Sequence, residues 1–192
     1  PNPGLTVVEI MNAILDSNIR GMYIMGENPA MSDPNLNHAR QALAKLEHLV
    51  VQDLFLTETA MFADVILPAS AFPEKTGSFT NTDRRIQLGR QALPLPGQTR
   101  QDLDIIQAIA TRLGLEWDYP DVATVFEEMR LAMPTIGGIT WSRLLKEESV
   151  TYPCLTEDDP GQPVVFASDF PTSDGLAKFV PARLTQADEL PD

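Results

Sequence analysis

Three short apolar runs constrain this chain most, the first two stopping abruptly at polar loop residues and the third closed by Pro68. Gly21–Met25 (GMYIM), Leu49–Gln52 (LVVQ) and Val65–Leu67 (VIL) are rich in β-branched or large apolar side chains and short enough to be buried strands. Between them the apolar spacing becomes helical. Leu5–Asn18 carries Val7, Ile10, Met11, Ile14 and Leu15 on one face, and Thr6 with Glu9 three residues later reads as a capping box. Asn35–His48 carries Leu36, Ala39, Ala42, Leu43 and Leu46, and Thr57–Phe62 reads as a short helix with Thr57 as its N-cap. An alternating order of helices and strands implies a parallel sheet with right-handed crossovers. Strands that run apolar without alternation fit a sheet covered on both faces. The sequence therefore predicts an α/β fold: a Rossmann-like, three-layer domain with a mainly parallel sheet.

Beyond the third strand, Ser78–Gln87 predicts an extended segment with a turn near Asn81–Asp83, and Leu93–Gly97 (LPLPG) a rigid loop. Asp102–Leu113 predicts a helix closed by Gly114 at C′. Val122–Met133 and Ile139–Glu147 predict two more. After Thr151, Pro, Gly, Asp and Ser dominate, broken by two expected short strands at Val164–Ala167 and Leu176–Val180. The expected organisation is one domain over residues 1–150 and a loop-rich tail over 151–192. The chain opens PNPG without a Met and closes on ADELPD, so it reads as an internal piece of a longer polypeptide. It has no signal-peptide pattern and no apolar run of the roughly 20 residues that span a bilayer.

With 192 residues, 43% of them apolar, the chain can bury a sizeable core. Its formal net charge of −13 argues against general binding to DNA or RNA, which needs a basic face. A single phosphate-bearing cofactor is still compatible, because backbone N–H groups at a helix start hold phosphate without net positive charge. One cysteine, Cys154, excludes an internal disulfide framework and suits a reducing cytoplasm. With His38 and His48 it makes no convincing metal cluster, and His38 and His48 make no catalytic pair. Cys154, in a Pro-rich loop without basic sequence neighbours, is not read as a nucleophile.

Ligands of open α/β sheets sit at the carboxyl ends of strands, which singles out a few residues. Gly26, Glu27 and Asn28 follow the first strand; Gly26 would let a ligand approach the backbone, or the segment is an ordinary turn. Gln52 and Asp53 end the second; Asp53 could accept from a ribose hydroxyl, or simply cap a loop. Thr57 opens a helix whose N–H groups could face a phosphate, or it only caps. Lys75, after the third strand, could place a point charge on a phosphate, or be solvated. Arg84 and Arg85 could bind an anion or pair with Asp83. Asp102 opens a long helix, where its carboxylate could take the two parallel N–H bonds of a guanine edge or only complement the helix dipole.

As an ordered set, YIMGENPAMSDPNLNHAR, VVQDLFLTETAMFADVILPA and EKTGSFTNTDRRIQ followed by PGQTRQDLDII resemble the molybdopterin oxidoreductases of the dimethyl sulfoxide reductase type, and within them the large, catalytic subunits of formate dehydrogenases. The resemblance covers about Gly4 to Leu115, and GLAKFVPAR resembles the strand that closes this domain before the family's final one. It implies a molybdenum bis(molybdopterin guanine dinucleotide) cofactor held by two Rossmann-like domains, of which this chain is similar to the second. By matching position, Gly26, Glu27, Asn28, Gln52, Asp53, Thr57, Lys75 and Asp102 fall at the cofactor, Asp102 at guanine, Asp53 at ribose and Lys75 nearer the pterin.

The same resemblance places the Cys or selenocysteine ligand of molybdenum, its adjacent His and the iron–sulfur cysteines upstream, and a final domain downstream. It implies a chain that is inactive alone and carries no catalytic or metal-ligating residue. The intact enzyme would oxidise formate to carbon dioxide and pass electrons to iron–sulfur clusters, with the other domains of the large subunit and electron-transfer subunits as partners. Rival readings are the large iron–sulfur subunit of respiratory complex I, a nitrate reductase catalytic subunit, or a non-catalytic Rossmann-like packing module.

Overall fold

The computed structural model describes residues 3–184, so the closing stretch ADELPD and the first two residues lie outside the described part. The chain divides into two compact units. One comprises the residues up to Ala71 together with Leu95–Ile105; the other comprises Phe72–Pro94 and Ile106–Leu184.

The first unit is built from α1 (Val7–Leu15), β1 (Gly21–Met25), the single-turn α2 (Pro29–Ser32), α3 (Leu36–Lys45), β2 (His48–Asp53) and β3 (Val65–Pro68). The capping box forms as the sequence requires: the Thr6 hydroxyl accepts from the Glu9 N–H, and the Glu9 carboxylate accepts from the Thr6 N–H at 2.7 Å. The three strands lie in the order β1-β2-β3, all parallel, with Tyr23 opposite Val50 and Val50 opposite Val65. Successive strand residues face opposite sides. Met22, Ile24, Leu49 and Val51 face the helices and pack with Met11, Ile14, Ala42, Leu43 and Leu46 into a continuous core. The other face carries Tyr23, Met25 and Val65, exposed at 42%, 50% and 40%. The expected helix over Thr57–Phe62 tightens into one 3-10 turn, Ala60–Phe62, because Ala63 already returns to an extended backbone that leads into β3.

The second unit holds an antiparallel sheet of β4 (Gly77–Thr80), β5 (Arg85–Gly89) and β6 (Ser149–Thr151), in that order. Helix α4 (Asp102–Arg112) starts in the first unit and continues in the second; α5 (Val122–Ala132) and α6 (Trp141–Glu147) belong to the second. Ile86, Phe126, Ile136, Ile139, Leu144, Val150 and Cys154 form its core. Gly138 is required there, since a Cβ would stand 2.0 Å from the Thr156 carbonyl oxygen. Arg84, at φ 65°, turns to the main chain and not to Asp83: its guanidinium donates to the carbonyls of Tyr152, Gln162 and Pro163. The ion pair forms one residue on, between Arg85 and Asp83 at 3.9 Å.

The two expected strands of the tail do not form. Over Val164–Ala167 and Leu176–Val180 the chain is irregular. Thr172 and Asp174 satisfy nearby backbone groups with their own side chains, and such local bonding competes with ladder formation. Among the described residues no helix is long and apolar enough to cross a membrane.

Leu43 is almost wholly buried against β1 and β2. Leu43→Ala should lower stability by about 2–5 kcal/mol, seen as a lower urea midpoint with an unchanged slope.

Candidate functional site

The carboxyl ends of β1, β2 and β3 are joined by polar contacts within the first unit. Gly26 follows β1 with φ 64°, a conformation that favours glycine, and its N–H donates to the Gln52 carbonyl at 2.9 Å. No atom lies within 4 Å of where a Cβ would stand at Gly26, so the backbone there is open to close approach.

Asn28 works as a clamp. Its Oδ1 accepts from the Thr59 N–H at 3.0 Å and from the Thr59 hydroxyl at 2.7 Å, while its Nδ2 donates to Glu58 at 2.8 Å. Thr59 is fully buried and its Oγ1 also accepts from the Ala30 N–H at 3.0 Å. The loop after β1 is thereby tied to the connection between β2 and β3. The Asn28 hydrogen bond holds the Glu58 carboxyl below its ordinary range. Glu27 is exposed and accepts from the Asn28 N–H at 3.3 Å. Thr57 accepts from the Ala60 N–H at 3.2 Å, which makes it a cap of the short turn.

At the end of β2, Asp53 turns back to accept from the Leu54 N–H at 2.6 Å. Gln52 is completely buried. Its Nε2 donates to Asp102 Oδ1 at 2.6 Å, and its Oε1 accepts from the Tyr23 hydroxyl. Asp102 reaches this place because the Arg100 N–H donates to the Pro68 carbonyl and Arg100 bridges Ala69 beyond β3. Burial, and after it the Asp102 charge, push the Tyr23 phenol above its ordinary value.

Six sequence-selected residues, Gly26, Asn28, Gln52, Asp53, Thr57 and Asp102, thus stand on one edge of one unit, with Glu27 beside them. Lys75 belongs to the other unit, between the turn Phe72–Glu74 and β4. Tyr23 and Thr59 are part of the network without having been selected; the signals were a lone phenol in an aliphatic strand and a second Thr in TET. His48 sits at the amino end of β2, away from this edge. Cys154 does have a basic neighbour, since Arg143 Nη1 lies 3.2 Å from its Sγ, but burial outweighs that cation and the thiol is pushed up. Among the described residues no group of three or more His, Cys, Asp or Glu could hold a metal ion.

A sheet of parallel strands with polar groups gathered at its carboxyl edge is the arrangement of nucleotide-binding α/β proteins. The molybdopterin oxidoreductase family model matches residues 1–112, and the chain belongs to that family. It is 44% identical over its whole length to the F420-dependent formate dehydrogenase subunit alpha of Methanocaldococcus jannaschii. It is 38% identical over 98% of its length to the F420-dependent formate dehydrogenase 2 subunit alpha of Methanococcus maripaludis. It spans 28% of the length of each of these relatives. Among solved structures, acetylene hydratase from Pelobacter acetylenicus shares the fold over 76% of this chain and 20% of its own, with a TM-score of 0.62 at 21% identity.

Two outcomes follow from the contacts alone. Thr59→Val keeps the shape but strands the Ala30 N–H without its acceptor, and should cost about 1–3 kcal/mol in denaturant unfolding. The Tyr23 phenol, raised in the folded state, contributes stability fully present below the ordinary tyrosine value of about 10 and lost as pH rises through its folded value. Ultraviolet titration compared with Tyr23→Phe should accordingly place its ionisation above pH 10 or so.

Proposed function

We propose that this chain is the part of a formate dehydrogenase catalytic subunit that holds one molybdopterin guanine dinucleotide. The observation that carries the reading is the convergence of Gly26, Asn28, Gln52, Asp53 and Asp102 on the carboxyl edge of a single parallel sheet. The donor set fits such a group. Open backbone at Gly26 admits a phosphate closely, Asp53 suits a ribose hydroxyl, and Asp102 suits the paired N–H donors of guanine. Glu27 and Thr57 flank that edge. By the resemblance, Lys75 supplies a point charge to the pterin portion.

When bound, the molybdenum–pterin group supplies the two-electron chemistry that oxidises formate to carbon dioxide, with electrons passing on to iron–sulfur clusters elsewhere in the subunit. This chain's residues bind and orient; none of them is assigned a proton or electron in the reaction, and the chain by itself is inactive. Its partners in this reading are the other domains of the large subunit and an electron-transfer subunit. The two relatives are F420-dependent by name, so F420 is the first acceptor to test with the assembled enzyme. The lone cysteine suits a cytoplasmic setting.

The test is the guanine nucleotide released by acid from the full purified subunit. Asp102→Ala removes charge-assisted hydrogen bonds worth about 1.5–3 kcal/mol each, so retention should weaken at least tenfold. Undiminished guanine content in that variant would leave Asp102 a helix-dipole residue and favour a packing module.

A further inference from the structure

We propose that Gln52 and Tyr23 are positioning residues that make the site selective for guanine, by fixing the Asp102 carboxylate for two parallel N–H bonds. This inference rests on the reading of Asp102 as the base contact.

The polarity of the chain is forced. An ionised carboxylate only accepts, so the group that Gln52 turns to Asp102 must be its NH2. The amide is planar, so its Oε1 then points the other way, and the Tyr23 hydroxyl facing it must donate. Flipping this buried amide would set its oxygen against the carboxylate, two acceptors face to face, and lose the Asp102 bond. Gln52 pairs in register with Met25 and Leu67, two apolar residues that offer its side chain nothing polar. A polar group at 0% exposure needs its partners, and the described ones are Tyr23 and Asp102. The phenol therefore locks the amide, and the amide locks Oδ1 of Asp102 at 2.6 Å. A carboxylate held in one plane meets the ring N–H and the exocyclic amine of guanine together; one free to swing meets them one at a time.

Neither residue touches the base in this scheme. Their effect is read in a ratio and not in overall affinity. The probes are guanosine diphosphate and inosine diphosphate, which differ only by the exocyclic amine, titrated into the full subunit prepared free of its pterin. Hypoxanthine keeps the ring N–H and loses the second bond. The unaltered subunit should prefer the guanine probe by about 10-fold or more, the worth of one hydrogen bond to a charged acceptor. In Gln52→Leu that preference should collapse to within about threefold of unity, and in Tyr23→Phe it should fall by several-fold. A general loosening would weaken both probes in proportion and leave the ratio alone.

Asp102→Asn separates the two levels. If it abolishes the preference while Gln52→Leu and Tyr23→Phe preserve it, the positioning role is wrong and the base contact stands. If Asp102→Asn also preserves it, both are wrong. Should Gln52→Leu not fold, Tyr23→Phe, at a half-exposed side chain, decides the matter by the same ratio.

Discussion

One buried amide holds the carboxyl edge of the parallel sheet together. The main-chain carbonyl of Gln52 takes the N–H of Gly26, while its side-chain Nε2 reaches Asp102 and its Oε1 takes the Tyr23 hydroxyl. A single residue thus joins the turn after β1, the strand before that turn and the start of α4. Interior polar groups are costly unless paired, by about 1–3 kcal/mol each on mutational scales. The pairing of Gln52 is therefore a condition for the fold as well as for the site. Asn28 and Thr59 do the same for the next pair of loops, with backbone N–H groups fixing which end of the amide points where.

The features that periodicity and capping control were legible in the sequence. The three parallel strands, α1 with its capping box, α3 and the β4–β5 hairpin fall where apolar spacing and turn residues put them. What failed depended on partners far away in the chain. Val164–Ala167 and Leu176–Val180 have β-type composition but stay irregular, and at Leu176 local Thr and Asp bonding takes the backbone groups a ladder would use. β6, only three residues, exists because Val150 fits beside Ile86, a pairing no local window reveals. The candidate site divides the same way. Gly26, Asn28 and Asp53 follow from the rule that strand ends carry ligands, whereas Asp102 is marked by its place at the start of a helix and by the resemblance. Tyr23 and Thr59 act through residues about 30 positions distant, and only the folded geometry identifies them.

Arginine shows why residue type alone does not fix a role. Arg84 and Arg143 have nearby acids, but much of their hydrogen bonding goes to backbone carbonyls in a unit whose tail lacks strands. A guanidinium carries five donors in a rigid fork and can satisfy several carbonyls that no ladder reaches. In this unit the fork substitutes for missing β-structure. Cys154 beside Arg143 makes the complementary point: a cation at contact distance would lower the thiol, and desolvation overrides it.

The acidity of the chain bears on how it could accept a dinucleotide at all. At physiological ionic strength exposed charges more than about 8 Å apart are largely screened, so the net −13 matters less than the groups within a few ångströms of the ligand. At this edge those groups include Glu27, Asp53, Glu58 and Asp102, all acceptors. All four are already engaged by described N–H donors: Glu27 by the Asn28 main chain, Asp53 by Leu54, Glu58 by the Asn28 side chain and Asp102 by Gln52. Carboxylates repel phosphate and attract N–H and O–H donors, so they suit the base and the ribose. The diphosphate is better matched by uncharged backbone such as the open turn at Gly26. In the proposed reading the acidic residues therefore sort the ligand by polarity: acceptor side chains take its donor ends, and main chain takes its charge.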